Sequence, residues 1–259
     1  MKLSVIIPVF NEAATVAEIV QRVQAVQLPQ EVSLEEVIIV DDSSTDDTPV
    51  ILSDLERRFQ SVRVLHHEKN RGKGAALRTG IAYTSGDIVL FQDADLEYDP
   101  MDYPQLLRPI LKNKADVVYG SRFVTTAERR VLYFWHWIGN MLLTVLCNAV
   151  SGVNLTDMET CYKAFRREVL QGLVLEQERF GCEPEITIKV AKSCWRIYEV
   201  GISYSGRTYE EGKKIGLYDA FQALWCIAKY GVTVPRRKKR SVLSFERTMT
   251  SQRGEPLVR

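Results

Sequence analysis

Short apolar runs alternate with helical stretches over the first 120 residues, and this alternation constrains the fold more than any other feature. Runs rich in β-branched residues predict five strands, at 3–9, 36–40, 62–65, 87–91 and 115–120. Helices are predicted between them, at about 13–26, 46–59, 73–84 and 102–112. Apolar runs without polar alternation indicate strands that are buried on both faces. We therefore predict an α/β fold in which helices flank a Rossmann-like, mostly parallel sheet.

Four carboxylates are clustered where the fourth predicted strand ends. The stretch "FQDADLEYDP" (91–100) places Asp93 and Asp95 directly after the apolar run, with Glu97 and Asp99 close behind. Like charges at this spacing repel one another, so the cluster needs a counter-charge. One interpretation is an acidic surface loop. The other is a Mg²⁺ or Mn²⁺ site that holds a phosphate-bearing substrate, because these ions prefer oxygen ligands.

Candidate site residues also lie at the ends of three other predicted strands. They are Pro8, Phe10 and Glu12 at the end of the first strand, Asp41 and Asp42 after the second, and Arg122 after the fifth. Parallel sheets bind their ligands at the carboxyl ends of the strands, which lie at one edge. The sequence therefore favours a binding site over a surface loop for the acidic cluster.

Two glycine-containing segments supply positive charge. "KNRGKGAALRTG" (69–80) sets Lys73 at a predicted helix start, although its spacing is not that of a Walker loop and a solvated basic turn is the alternative. "SGRTYEEGKKIG" (205–216) carries Arg207 and Lys213 in a segment that is predicted to close over a phosphate. Arginine suits this purpose because its guanidinium group binds phosphate oxygens in a bidentate manner.

The stretch 131–150 contains no Asp, Glu, Lys or Arg, and its length approaches that of a membrane-spanning helix. His136, Asn140, Thr144 and Asn148 recur every four residues and form a polar stripe on one helical face. Two interpretations remain open: a helix packed within the domain, and an amphipathic helix lying in a membrane interface. A true span is disfavoured because it would separate the two halves of the predicted site.

Charge and cysteine usage exclude some classes of protein. The formal net charge of +1 gives no indication of nucleic-acid binding. The five cysteines are odd in number and form no CxxC pair, which predicts reduced thiols and a cytoplasmic location. The pair His66–His67 is predicted to have a structural or solvent-facing role. The tail 233–259 is predicted to be disordered; its basic cluster 236–240 is solvated or attracted to anionic lipid.

Seven motifs occur in order over about residues 3–230 and together resemble family 2 glycosyltransferases of the GT-A fold. The resemblance is strongest to the polyprenyl-phosphate branch, which includes the dolichyl-phosphate mannose synthases and glucosyltransferases. The motifs are "VIIPVFNE", "VDDSSTDDT", "GKGAAL", "QDADLEYDP", "GSRF", "DMETCYKAF" and "RTYEEGKKI".

This resemblance implies an inverting transfer of a hexose from a nucleotide diphosphate sugar, GDP-mannose or UDP-glucose, to a polyprenyl or dolichyl phosphate. It implies Mg²⁺ or Mn²⁺ as cofactor. It also implies a GT-A domain over 1–232, divided into a nucleotide-sugar-binding half (1–122) and an acceptor-side half (123–232). The amphipathic helix in 131–150 and the basic tail would then place the protein peripherally on the cytoplasmic face of a membrane.

The resemblance also assigns roles to individual residues. The nucleotide sugar would be bound by Pro8, Phe10, Glu12, Asp41, Asp42, Lys73, Asp93, Ala94 and Lys213. The metal would be held by Asp93, Asp95 and Glu97. The catalytic residues would be Asp95, Arg122, Asp157 and Arg207. Many mannose synthases have Gln at the position of Glu97 and a pattern such as SGF where this chain has "TCY" (160–162), so the sugar stays unassigned.

Three alternatives compete with this hypothesis. A glycosyltransferase with a soluble hydroxyl acceptor would need Asp157 or Glu159 as a general base. A phosphatase with an aspartyl nucleophile also uses a DxD motif, but places it on its first strand. A non-catalytic relative would bind nucleotide sugars without turnover, yet the chain retains Asp93, Asp95 and Arg207.

Overall fold

The computed structural model describes residues 1–124, 130, 131, 133–207 and 217–236. Seven strands form one sheet: β1 (Lys2–Val9), β2 (Ser33–Asp41), β3 (Val62–His66), β4 (Ile88–Phe91), β5 (Val117–Ser121), β6 (Lys163–Arg166) and β7 (Ile197–Gly201). Eight α-helices accompany them in the described residues: α1 (Val16–Ala25), α2 (Thr48–Arg58), α3 (Lys73–Tyr83), α4 (Tyr103–Leu111), α5 (Phe134–Ser151), α6 (Arg167–Gln171), α7 (Cys182–Lys192) and α8 (Leu217–Thr233). A 3₁₀ turn at Pro100–Asp102 precedes α4.

The strands lie in the order β3-β2-β1-β4-β6-β5-β7. Every neighbouring pair is parallel except the two pairs made by β6, which runs antiparallel to β4 and to β5. The predicted α/β fold with a mostly parallel sheet is therefore confirmed. The antiparallel insertion was not predicted, because a four-residue strand carries no sequence signal for its direction.

The main core lies between the sheet and its flanking helices. The central strands β1 and β4 are buried almost throughout, as their unbroken apolar runs predict. Helix α1 buries Val16, Ile19, Val20 and Val23, a spacing that places one apolar stripe against the sheet. A second, smaller core joins α5, α7 and α8 around Met158, Cys147, Ile188, Cys226, Ile227 and Tyr230.

The two glycines that flank Lys73 are required by close packing at the start of α3. Gly72 has a φ of 91°, a conformation that side-chain-bearing residues rarely adopt. A Cβ atom on Gly74 would lie 2.4 Å from the carbonyl oxygen of Gln177. The Ala75 amide donates to the carbonyl oxygen of Glu178 at 3.0 Å, so the segment before α7 covers the first turn of α3.

Helix α5 packs on the protein through its polar stripe. The Asn148 side chain donates to the carbonyl oxygen of Leu155 at 2.7 Å, and Thr144 Oγ1 accepts from the Met158 amide. Large apolar side chains point outward instead, and Leu142 and Val145 are 54% and 56% exposed. Nevertheless, none of the helices in the described ranges combines the length and the hydropathy that crossing a bilayer needs.

Candidate active site

The carboxyl ends of four strands meet at one edge of the sheet, as the sequence predicts. The register pairs Val9 at the end of β1 with Asp41 at the end of β2. The Gln92 amide, just after β4, donates to the carbonyl oxygen of Ile6 at 2.9 Å. Arg122 follows directly after β5. The acidic and basic residues that the sequence places after these strands therefore share one surface.

Asp93 and Asp95 each contact a basic side chain from a distant part of the chain. An Asp93 carboxylate oxygen lies 2.8 Å from Lys73 Nζ at the start of α3. Asp95 Oδ2 lies 2.9 Å from Arg207 Nη2, which comes from the segment after β7. Arg207 also forms an ion pair with Glu12, at 3.3 Å. The structure thus brings together residues from both halves of the chain around the DAD motif.

The turn after Asp93 is held by Gln92, which sequence reasoning missed. Its buried amide accepts from the Tyr103 and Tyr162 hydroxyls and donates to the carbonyl oxygen of Asp93. A polar residue inside the run "VLFQDAD" was the available signal. Leu96 has a φ of 62°, an unfavourable conformation for a side-chain-bearing residue, and strain of this kind often occurs at functional sites.

Glu97 anchors the segment after β7. Its carboxylate accepts from the Tyr204 hydroxyl at 2.8 Å and from the Arg207 amide at 2.7 Å. Both carboxylate oxygens therefore already have donors. Each oxygen retains a further lone pair, so these hydrogen bonds orient the Glu97 carboxylate without excluding it as a metal ligand.

Asp41 and Asp42 are buried and hydrogen-bonded to residues at the end of β3, after β3 and before α2. Asp41 Oδ2 lies 3.0 Å from His66 Nδ1, and its other oxygen accepts from the Ser44 amide. Asp42 lies 2.6 Å from His67 Nδ1 and accepts from the amides of residues 71 and 72. The two histidines thus fix these carboxylates, and Asp42 positions the segment that leads to Lys73.

The remaining residues predicted to bind the nucleotide sugar have simpler surroundings. Pro8 lies in β1 beside Val40 of β2, and Phe10 is exposed at the end of β1. Ala94 is buried between the two aspartates of the DAD motif. Lys213 lies outside the described residues, as does the tail beyond Arg236.

Arg122 and Asp157 form a buried bidentate pair. Arg122 Nε and Nη2 each lie 2.7 Å from a different oxygen of Asp157, and the Arg122 amide donates to the same carboxylate. Asn140 of α5 accepts from Arg122 and donates to Asp157. The guanidinium carbon lies 5.2 Å from the Tyr204 ring centre. The structure therefore joins α5 to the end of β5 through this pair.

A buried charge network lies behind Asp93, and sequence reasoning missed its two members beyond Lys73. Lys163 of β6 is fully buried, and its ammonium group contacts Glu183 of α7 and the Thr160 carbonyl oxygen. Glu183 also lies 3.5 Å from Lys73 Nζ. The charges therefore alternate in sign along Asp93, Lys73, Glu183 and Lys163. The attraction between neighbours offsets the free-energy cost of burying each charge.

Glu159 lies close to this network and carries an unsatisfied atom. Within the described part of the chain, nothing donates a hydrogen bond to its buried Oε1. Burial, and then the neighbouring Glu183, raise the pKa of Glu159 to about 7, although Lys163 and Arg122 oppose the shift. The folded protein therefore holds a proton on Glu159 at pH values where the unfolded chain has released it.

We expect Glu159→Gln to stabilise the protein at pH 8 and to leave its stability at pH 5 nearly unchanged. Between the ordinary glutamate pKa and about 7 the folded state binds more protons, so the wild type loses stability as the pH rises. The amide removes this loss, and Tm at pH 8 should rise by roughly 2–4 °C per kcal/mol gained. Thermal melts at both pH values measure the effect. The exposed Glu31→Gln is the control, and an equal shift at both pH values would contradict the expectation.

The profile of glycosyl transferase family 2 matches residues 4–174 of the chain. This stretch covers most of the sheet and the Asp93, Asp95, Arg122 and Asp157 positions.

The chain belongs to glycosyl transferase family 2.

Two curated relatives of this glycosyltransferase have names that describe mannosyl transfer to a polyprenyl phosphate. The dolichol-phosphate mannosyltransferase of Pyrococcus furiosus is 28% identical over 256 residues, covering 97% of this chain and 71% of the relative. The undecaprenyl-phosphate mannosyltransferase of Micrococcus luteus is 28% identical over 229 residues, covering 83% of this chain and 88% of the relative. The resemblance to the polyprenyl-phosphate branch is therefore confirmed.

A solved structure confirms the GT-A fold of the glycosyltransferase. Glucosyl-3-phosphoglycerate synthase from Mycobacterium tuberculosis, crystallised with Mn²⁺, UDP and phosphoglyceric acid, superposes with a TM-score of 0.69. The two chains are 22% identical, and the match covers 89% of this chain and 78% of the other. At this identity the likeness concerns the fold alone.

The side chains near the DAD motif are chemically suited to hold a divalent metal. Within the described ranges, no group of three or more His, Cys, Asp or Glu side chains is arranged to hold a metal. However, four carboxylates lie together near the DAD motif (Glu12, Asp93, Asp95 and Glu97), where they contact Lys73 and Arg207. Mg²⁺ is commonly bound by one or two carboxylates together with substrate phosphates. Asp93 and Asp95 match that pattern.

The two aspartates of the DAD motif have pKa values shifted in opposite directions. Burial, followed by the charges of Asp93 and Glu97, raises the pKa of Asp95 to about 7 despite the nearby Arg207. Burial also acts to raise the pKa of Asp93, but Lys73 and its other neighbours together hold it below the ordinary value. A further cation beside Asp95 would therefore stabilise its ionised form.

Proposed function

We propose that the protein transfers a hexose from a nucleotide diphosphate sugar, GDP-mannose or UDP-glucose, to a polyprenyl phosphate with inversion at the anomeric carbon. The observation that carries the proposal is the orientation of α5. Its polar face holds the Arg122–Asp157 pair through Asn140, and its other face exposes apolar side chains. A phosphate-binding arginine thus lies beside a surface suited to a lipid chain. The names of the two curated relatives support the same acceptor class.

The donor side is formed mainly by residues 1–122, and Arg207 reaches it from the second half of the chain. Lys73 and Arg207 provide positive charge for the diphosphate, which must accept electrons as the sugar leaves. Asp93 and Asp95 would hold Mg²⁺ or Mn²⁺, which would neutralise charge on the departing diphosphate. Asp41, together with Pro8 and Phe10 at the end of β1, would contact the nucleoside.

The acceptor side is formed by residues 123–232 together with Arg122. The second pKa of a phosphate monoester is about 6, so the acceptor is largely ionised at neutral pH and needs no strong base. Arg122, which Asp157 and Asn140 orient at the end of β5, would bind this phosphate through its guanidinium group. Asp157 then acts as a positioning residue, because its two oxygens are occupied by Arg122 and Asn140.

The apolar face of α5 supports peripheral binding to the cytoplasmic face of a membrane. Phe134 and Trp135 are exposed at its N-terminal end, where aromatic rings suit the headgroup region of a bilayer. Helix α8 packs against α5 and adds exposed Phe221 and Trp225. The basic cluster 236–240 follows α8 in the sequence and would attract anionic headgroups.

We expect the double substitution Leu142→Glu/Val145→Glu to reduce vesicle binding and lipid-phosphate glycosylation strongly while leaving nucleotide binding unchanged. Both side chains are more than half exposed on α5, so charge there opposes membrane contact without disturbing the core. Co-sedimentation with anionic vesicles and UDP or GDP titrations measure the two effects. Val50→Glu, which adds a charge at a 72% exposed position on α2, is the control. Unchanged vesicle binding in the double variant would contradict the membrane assignment.

A panel of radiolabelled donors tests the proposed function. GDP-mannose, UDP-glucose and UDP-N-acetylglucosamine are each incubated with polyprenyl phosphate and Mg²⁺ or Mn²⁺, and label is followed into the lipid phase. We expect label from one donor, and chelation with EDTA should abolish it. Donor hydrolysis or transfer to a soluble acceptor, without lipid label, would overturn the polyprenyl-phosphate assignment.

Glu159 favours a second candidate function, transfer to a soluble hydroxyl acceptor. A general base for a hydroxyl group works best when its pKa is near the working pH, and the pKa of Glu159 is about 7. This candidate predicts a rate that rises through pH 7 and a large loss of activity in Glu159→Gln. The phosphate acceptor predicts neither effect.

A further inference from the structure

Arg207 lies close to three acidic residues at the edge of the sheet that carries the DAD motif. Its guanidinium group bridges Asp95 at 2.9 Å and Glu12 at 3.3 Å, while its backbone amide donates to Glu97 at 2.7 Å. The side chain is only 19% exposed, and its buried Nε finds no acceptor within the described part of the chain. The arginine therefore neutralises acidic residues from the ends of both β1 and β4.

We propose that Arg207 is a built-in counter-ion that keeps free divalent metal away from Asp95 until a nucleotide diphosphate is present. The inference rests on the proposed function, because it assigns the same carboxylate to Arg207 in the free enzyme and to the metal in the donor complex. The guanidinium group of Arg207 lies 2.9 Å from the Asp95 carboxylate. While it stays there, it repels a divalent cation and so lowers the affinity of Asp95 for the metal.

A diphosphate removes this conflict. Its oxygens offer Arg207 new bidentate acceptors, so the guanidinium group can move from Asp95 and Glu12 to the phosphates. Asp95 would then be able to hold a divalent metal bound to the diphosphate. Metal and nucleotide binding are consequently coupled through one side chain, and linkage requires each ligand to raise the affinity for the other.

The contrast with Lys73 supports assigning this role to Arg207 alone. Lys73 is held by Glu183 as well as by Asp93, and Glu183 in turn contacts the fully buried Lys163. It is therefore fixed in a buried network. The acidic partners of Arg207 all lie at the strand ends that form the site, so a ligand can replace them one by one.

Mn²⁺ binding to the nucleotide-free protein, measured by electron paramagnetic resonance of the unbound ion, tests this proposal without turnover. We expect Arg207→Gln to bind Mn²⁺ at least about fivefold more tightly than the wild type, the low end of typical coupling between linked sites. The gain should disappear in Arg207→Gln/Asp95→Asn. Arg207→Lys, which keeps the charge, should remain near the wild type. Arg63→Gln removes a positive charge elsewhere and is the control for net charge.

The outcomes separate this inference from the proposed function. If the wild type binds Mn²⁺ with UDP or GDP, but Arg207→Gln alone shows no gain over the wild type, the counter-ion role is overturned and the metal-dependent function stands. If no variant binds Mn²⁺ with or without nucleotide, the metal dependence and the counter-ion role both fail. Circular dichroism and Tm establish that each variant is folded, and Arg207→Met, which also removes the positive charge, replaces Arg207→Gln if the latter does not fold.

Discussion

Asp95→Asn is expected to lower kcat for sugar transfer by about 10²–10³-fold, the loss typical when a preorganised electrostatic group is removed. The amide keeps the shape of the side chain, and its single oxygen can still accept from Arg207 or from the Glu97 amide, but not from both. The charge that would hold a metal beside the leaving diphosphate is lost as well. Release of labelled lipid product under saturating donor measures the effect.

The same substitution should raise stability at pH 8. The pKa of Asp95 is raised to about 7 in the folded protein, mainly by burial, so the wild type loses stability as the pH rises from the ordinary aspartate range through 7. The neutral amide avoids this loss. Asp54→Asn makes the same chemical change on the exposed side of α2 and should alter neither rate nor Tm appreciably. A variant at position 95 with near-normal turnover would remove Asp95 from the catalytic residues.

Asp157→Ala is expected to destabilise the protein by about 3–5 kcal/mol, because it leaves the buried Arg122 without its partner. For a chain of this size the loss corresponds to a fall in Tm of roughly 6–20 °C. Transfer should fall as well, since Arg122 would no longer be held toward the acceptor. Asp157→Asn keeps one acceptor for Arg122 but removes the negative charge, so it should recover only a small part of the stability and little of the activity.

A matched control lies at the other end of the same strand. Asp116, just before β5, accepts from Arg196 Nη2 at 2.7 Å, from its Nε at 3.0 Å and from its backbone amide. This geometry is nearly that of Arg122 and Asp157, but the Arg196 side chain is 48% exposed. Asp116→Ala should therefore cost much less stability. Equal losses at positions 116 and 157 would show that burial of Arg122 does not decide the effect.

The parts of this fold that depend on local pattern were predictable. Strands β1 and β4 are buried on both faces, so their sequences are unbroken apolar runs, and the DAD motif is found where the second of these runs ends. Topology then places the ends of parallel strands together without any knowledge of side-chain contacts.

Contacts between distant residues were not predictable in the same way. Lysine side chains are rarely buried unless they are paired, so the sequence provided no reason to expect Lys163 in the core. Its burial is explained by contacts with Glu183 of α7 and with the Thr160 carbonyl oxygen. The bidentate pair of Arg122 and Asp157 joins residues whose motifs were recognised separately. Such pairs depend on the relative placement of whole helices and strands, and the local hydrophobic periodicity of the sequence does not contain this information.

The orientation of α5 illustrates the same limit. The four-residue spacing of Asn140, Thr144 and Asn148 correctly predicted a polar face, but not which face would meet the protein. Most amphipathic helices of soluble proteins pack by their apolar side. Here the Arg122–Asp157 pair and the Leu155 and Met158 backbone supply hydrogen-bonding partners, so the polar side packs inward.

The position of β6 in the sheet has a consequence for synthesis on the ribosome. Strands β1 to β4 can pair with one another once the first 91 residues have emerged, but one edge of β4 then has no partner. That edge is covered only after β6 (residues 163–166) has been synthesised. Strand β5 has no neighbouring strand until β6 and β7 have been made. The nascent chain therefore carries an open, apolar strand edge through a long stretch of translation, and this is the stage at which it depends most on protection from aggregation.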